Sequence, residues 1–210
     1  MKIELPKQNN YEVAYNKAAE ILRNADLSET AERCGSEVVV AGQNAKIRLR
    51  YLNSELEIWL PAVQFQPESL SMTEQILVLH YLTERGDHPT KGEYVAYKNL
   101  PGASFYASPY RRRSIERLLS LFGEKPDELF EASKVLGGTL AELGDVSVRL
   151  QVFPKINAII VLHRGDDEFP PEAQILYRDD VINFLTLEDV AVLSGVLASR
   201  LSKAKRQMNL

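Results

Sequence analysis

Apolar residues change their spacing several times along the chain, and each change marks an element. Tyr11, Tyr15, Ala18, Ala19 and Leu22 recur at helical spacing and predict a helix from Tyr11 to Asn24, capped by Asn9 or Asn10. A second, short helix over Asp26 to Cys34 is closed by Gly35. The period then falls to two. Val38 to Val40 is a β-branched run, Ile47, Leu49 and Tyr51 alternate with Lys46, Arg48 and Arg50, and Leu56, Ile58 and Leu60 alternate with Glu55, Glu57 and Trp59. With turns at Gly42-Gln43-Asn44 and Asn53-Ser54, these runs predict an antiparallel meander over residues 37–60 with one wet face.

Pro61 and Pro67 frame a loop, and Ser71 stands three residues before Glu74, the spacing of a capping box. The helix it opens runs through Ile76, Leu77, Leu79, His80, Tyr81 and Leu82 towards Gly86. From Gly86 to Pro109 the chain is polar and rich in turn residues, with one short strand at Glu93 to Tyr97. A connector this long is uncommon, and loops of this kind often build sites. Tyr110 to Phe122 reads as one helix ended by Gly123, and Pro126 to Leu136 as another, broken by Gly137-Gly138. Val146, Val148, Leu150 and Val152 then alternate with polar residues, Ala158 to Leu162 reads as a central strand, and Ala173 to Tyr177 as a last one. Thr186, three residues before Asp189, opens a final helix that reaches Lys205.

The order is helices, three strands, helices, three strands, helix. It predicts an α+β fold whose antiparallel sheet or sheets are built from two three-stranded segments, with helices packed on one face. One domain over residues 1–210 is expected, with two similar sub-layers (1–85 and 110–210) joined by the long loop. The lack of alternating βα units argues against a doubly wound nucleotide fold.

Charge and composition narrow the partners. The 210 residues carry 25 basic and 29 acidic side chains, a formal net charge of −4, so no global basic field favours nucleic acid. No stretch approaches the roughly 18 apolar residues that span a bilayer, so no membrane partner is expected. The single cysteine, Cys34, permits no internal disulfide, and MKIELPKQNN has no apolar leader run, so a cytoplasmic location is expected.

The strongest candidate chemistry is Arg111-Arg112-Arg113, read as the start of a helix whose free amides lie nearby. Ser104, Tyr106 and Tyr97 add hydroxyl donors, and together these residues form a candidate site for a small anionic ligand or cofactor. Solvated arginines, or ion pairs with Asp166 to Glu168, would account for the same letters. His163 followed by Asp167 and Glu168 is the one arrangement that would suit a metal. No compact metal-ligand spacing, phosphate-binding loop or nucleophile elbow occurs. Cys34 reads as a small buried side chain at a helix end, and Asp179-Asp180 as turn residues. The letters name no cofactor.

The segments Phe153-Pro154-Lys155-Ile156 through His163, Asp167 to Ala173, Leu187-Glu188-Asp189-Val190, and Leu100 to Phe105 together resemble an uncharacterised family of bacterial and archaeal domains of unknown function. Some of its members look fused to a cysteine-rich iron–sulfur domain associated with corrinoid methyl-transfer proteins. This chain departs from those members, because Cys34 alone cannot hold such a cluster. The resemblance implies prokaryotic metabolism and assigns no activity. Three functions therefore stand as expectations: a binding or accessory module for a small anion, a homodimer or other interaction domain for a metabolic partner, and a metal-assisted enzyme. The enzyme requires His163 to converge with Asp167 or Glu168.

Overall fold

The computed structural model describes residues 6–208. Helix α1 (Pro6–Arg23) begins ahead of the expected cap, so Asn9 and Asn10 lie inside it. Helix α2 (Leu27–Cys34) is capped by the Asp26 carboxylate, which accepts from the amides of Ser28 and Glu29. It ends at Gly35 with φ 64°, a left-handed conformation that an L side chain would strain.

Strands β1 (Glu37–Ala41), β2 (Asn44–Tyr51), β3 (Ser54–Leu60) and β4 (Gln64–Gln66) form an antiparallel sheet in that order. Ile47, Leu49, Tyr51, Leu56 and Ile58 are buried on one face. On the other, Glu57 takes Lys46 at 2.7 Å and Arg48 at 3.2 Å, so the expected wet face is present. The sheet has one strand more than the predicted meander. β4 is only three residues long and pairs Phe65 with Ile58, too little chain for alternation to show between Pro61 and Pro67.

Helix α3 (Met72–Thr83) is apolar nearly all round and buried accordingly, lying against α1, α2 and a long C-terminal helix. The second half contributes β5 (Tyr94–Ala96), α4 (Ala107–Tyr110), α5 (Glu116–Phe122), α6 (Glu128–Lys134), β6 (Thr139–Ala141), β7 (Val146–Phe153), β8 (Ile156–His163), β9 (Glu172–Arg178) and α7 (Leu187–Gln207). Its antiparallel sheet runs β5-β9-β8-β7-β6, with the predicted apolar strand β8 at its centre. This sheet also exceeds three strands. β5 comes out of the long connector, and β6 follows Gly137-Gly138, both too short for periodicity to show. The two hairpin tips meet: Leu52 N–H donates to Val152 O at 2.9 Å, and the Tyr51 and Phe153 rings lie 5.2 Å apart.

The long connector is held at defined points. The Asp179 carboxylate accepts from the amides of Lys91 and Gly92 at 2.6 and 2.9 Å, and the Asn183 side chain both accepts from His88 N–H and donates to His88 O. Asp179 is thus a loop anchor, while Asp180 accepts from Arg178 at 2.7 Å.

The central helices are fastened to each other through their capping boxes. Glu74 accepts from the Ser71 amide and hydroxyl at 3.1 and 2.7 Å, and also from Arg200 Nε on α7 at 2.6 Å. Asp189 accepts from the Thr186 amide and hydroxyl at 3.1 and 2.7 Å, and holds His80 Nδ1 on α3 at 2.8 Å. Each N-terminal carboxylate therefore caps its own helix and grips a cationic or protonatable side chain of the other.

Burial by itself would raise the Glu74 carboxyl, but the Ser71 hydrogen bonds and the Arg200 charge outweigh it and hold it below the ordinary 4.5. Its contribution to stability is present above that value and fades as pH falls through the depressed one. The Asp189 hydrogen bond raises the His80 imidazole above its ordinary 6.5 against the opposing effect of burial. That contribution is complete below the ordinary value and fades as pH rises through the folded-state one. Glu74→Gln is expected to lose about 2 kcal/mol in urea unfolding at neutral pH. His80→Gln is expected to cost more stability near about pH 5.5 than near about pH 9. Equal costs at the two pH values would contradict a charged His80–Asp189 pair.

Candidate functional site

Arg111, Arg112 and Arg113 lie in a single π-helical turn, Arg111–Ile115, spliced between α4 and α5. The buried residues of this run are Tyr110, Ser114, Ile115, Leu118 and Phe122, which leaves the three arginines on the exposed side. Helical backbone already begins at Ala107, and the Arg111 amide donates to Ala107 O and Ser108 O. The amides expected to be free at a first turn are therefore consumed, and the arginines stand on the flank of a continuous helical run. The turn sits close to α7 because Gly195 faces it. A Cβ at Gly195 would come within 3.3 Å of Arg113 Cβ.

The expected site residues divide among three places. Arg112 and Arg113 join Arg117 along an open groove of about 460 Å³ whose floor is the outward stripe of α7, Val192, Gly195, Val196 and Ser199. The far wall is Tyr11 together with Ser71 and Thr73 from the first turn of α3. Among the described residues no acidic residue lines it, and Arg112, Arg113 and Arg117 have no carboxylate within ion-pairing distance. Arg111 instead turns into a separate recess of about 300 Å³ with Tyr97, Lys98 and Gln174, and its Nε lies 3.4 Å from Glu116.

The hydroxyl donors lie outside the groove of Arg112 and Arg113. The Tyr97 ring stacks on Tyr110 at 4.1 Å, and its hydroxyl donates to Leu187 O at 3.1 Å. Burial pushes that hydroxyl up to about 12, so it stays protonated. The Tyr106 hydroxyl donates to Glu188 at 3.3 Å, and Ser104 is exposed in the preceding turn. The structure thus keeps Arg112 with Arg113 and separates both from Arg111, Tyr97, Ser104 and Tyr106. Arg117, Thr73 and Ser199 were absent from the sequence-derived set. Arg117 was legible as the next outward position four residues after Arg113, whereas Thr73 and Ser199 are far apart in sequence and carried no signal.

The metal candidates are not brought together. His163 Nδ1 lies 3.9 Å from Asp145 Oδ2, while Asp167 and Glu168 belong to an exposed turn. That turn is organised by Asp166, which accepts from the amides of Glu168 and Phe169. Among the described residues no group of three or more His, Cys, Asp and Glu side chains has metal-binding spacing. Among the described residues none of Arg111, Arg112 and Arg113 pairs with Asp166, Asp167 or Glu168, and Arg111 pairs with Glu116 instead. No described helix is long and apolar enough to cross a membrane.

A family model described as a domain of unknown function, DUF3786, matches residues 26–200. The chain belongs to the DUF3786 family. The matched span contains the π-turn, Arg117, the first turn of α3 and the groove floor on α7, and leaves out Tyr11. No curated protein and no solved structure matches the chain.

Cys34 has no role in the groove. Its thiol donates to Tyr81 O at 3.3 Å while the Tyr81 hydroxyl donates back to Cys34 O at 2.6 Å, and burial pushes the thiol up to about 11. A thiol so protonated and enclosed is a poor nucleophile. In this DUF3786 domain Cys34 is expected to resist an aromatic disulfide reagent in buffer and to react fully in denaturant. Rapid labelling of the native protein would contradict the burial.

Proposed function

We propose that this DUF3786 domain is a binding or accessory module for a small anionic ligand or cofactor, held in the groove between α7 and the arginine wall. The observation that carries this reading is the grouping of Arg112, Arg113 and Arg117 in one groove, with no acidic lining residue and no carboxylate partner among the described residues. In a chain of net charge −4 such a local excess of positive charge is costly to assemble and attracts anions. Guanidinium groups match the planar oxygens of carboxylate and phosphate with paired hydrogen bonds. Thr73 and Ser199 offer hydroxyls, and the first turn of α3 presents the positive end of its dipole to the same space. Val192 and Val196 give the floor an apolar strip for the carbon skeleton of the ligand.

Among the described residues the lining supplies recognition groups and no histidine, cysteine or carboxylate, which favours binding over turnover. The setting we propose is prokaryotic cytosolic metabolism, on the resemblance described above. The metal-assisted alternative is not advanced, because His163 faces Asp145 and not Asp167 or Glu168.

Titration calorimetry with inorganic pyrophosphate and with citrate tests this reading. Native mass spectra of protein from its own host, before and after denaturation, would show a ligand that copurifies. Binding is expected to weaken as salt rises. It should fall by about tenfold or more for Arg112→Gln or Arg117→Gln, each of which removes a charged hydrogen-bond donor. Arg111→Gln is expected to bind as the parent does, since Arg111 faces the other recess. Unchanged binding in the first two variants, or loss confined to the third, would overturn the assignment.

A further inference from the structure

Among the described residues the order β1-β2-β3-β4 leaves β1 at the edge of the first sheet, with one side unpaired. Two residues, Gly42 and Gln43, join it to β2, so Ala41 and Asn44 form the closing hydrogen-bonded pair of a hairpin. Direction alternates from there along the strand. Ala41, Val39 and Glu37 turn their N–H and C=O groups towards β2, and Val40 and Val38 turn theirs outwards. The side chains are as open as the backbone: Val39 is 50% exposed and Val40 65%.

Other edges in the molecule are short. β4, β5 and β6 have three residues each, and β4 runs directly into Pro67, which cannot donate. β1 has five residues and carries neither proline nor charge in Val38-Val39-Val40. Soluble proteins blunt such edges or pair them.

We propose that β1 is a dimerisation edge at which two copies of this chain pair antiparallel about a two-fold axis through Val39. In that register the outward backbone groups of Val38 meet those of the second copy's Val40, and the reverse, giving four new N–H···O=C bonds. Val39 faces its own copy as a non-hydrogen-bonded pair. The two four-stranded sheets become one continuous sheet.

Three features select a second copy as the occupant. The sequence Glu-Val-Val-Val-Ala matches itself in this register, valine against valine at all three central positions. The Glu37 carboxylates, the only charges on the strand, fall at opposite ends of the pair, so the axis holds no like-charge contact. The wet face also continues across the axis. Val39 lies beside Lys46, whose amine sits 4.8 Å over the half-exposed Trp59 ring, and this apolar row meets its own copy.

The register is testable with single cysteines in the full chain, because the native Cys34 thiol is buried. In a non-hydrogen-bonded pair the Cα atoms are about 4.5 Å apart, within disulfide reach. Val39→Cys is expected to oxidise readily to a covalent dimer. Val40→Cys sits at about 7–8 Å or more from its own copy and should stay monomeric on a denaturing gel. The parent protein should sediment at twice the 23.7 kDa chain mass at micromolar concentration. Val39→Lys should sediment at the single mass with an unchanged circular dichroism spectrum. A parent that sediments as a monomer throughout, or equal crosslinking of the two cysteine variants, would overturn the proposal. The former result would leave the edge to a strand of another protein.

Discussion

The arrangement depends on two carboxylates that each serve two helices. α3 is buried along most of its length, and Glu74 in its first turn is a buried carboxylate that needs partners. It finds them in its own Ser71 cap and in Arg200 of α7, while Asp189 does the reciprocal work with His80. Neither buried carboxylate has its charged partner without the other helix in place. The antiparallel pairing of α3 and α7 is therefore fixed at both ends by groups whose removal would leave buried charge unpaired.

From that pairing the groove follows. α7 turns its apolar side to the core and its stripe of Val192, Gly195, Val196 and Ser199 outwards, and the first turn of α3 rises beside it. On the other flank the π-turn inserts one residue into the helical ladder. Gly195 lets that turn approach α7, and the arginines are directed over the gap. Turns of this kind recur at functional sites because they redirect side chains without breaking the helix. The positive wall is thus a product of packing: apolar residues on the inner face leave Arg112, Arg113 and Arg117 nowhere to go but outwards.

Much of this was legible from spacing. The wet and dry faces of β2 and β3, the central position of β8, the Gly35 stop and both capping boxes are consequences of local rules, and they stand as the letters implied. What spacing could not show was short or distant. β4, β5 and β6 hold three residues each, fewer than a period needs to declare itself. The His80–Asp189 and Glu74–Arg200 contacts join residues more than a hundred positions apart. At the site, adjacency in sequence misled: Arg111 and Arg112 are neighbours, yet one helical step points them into different hollows. Tyr97, Ser104 and Tyr106 are near the arginines along the chain and serve other contacts in space.

The connector from Gly86 to Pro109 reads as the boundary between two halves, but it supplies β5, which lies against β9 at the margin of the second sheet and is latched by Asp179 and Asn183. A seam in the sequence is thus a rivet in the fold. Cutting the chain at Gly86 to separate the halves would leave the second with its full sheet, and cutting it at Pro109 would strip that sheet of its margin and bare the edge of β9. The connector therefore belongs with the second half, and because α3 and α7 grip each other across it, neither half is a free-standing unit.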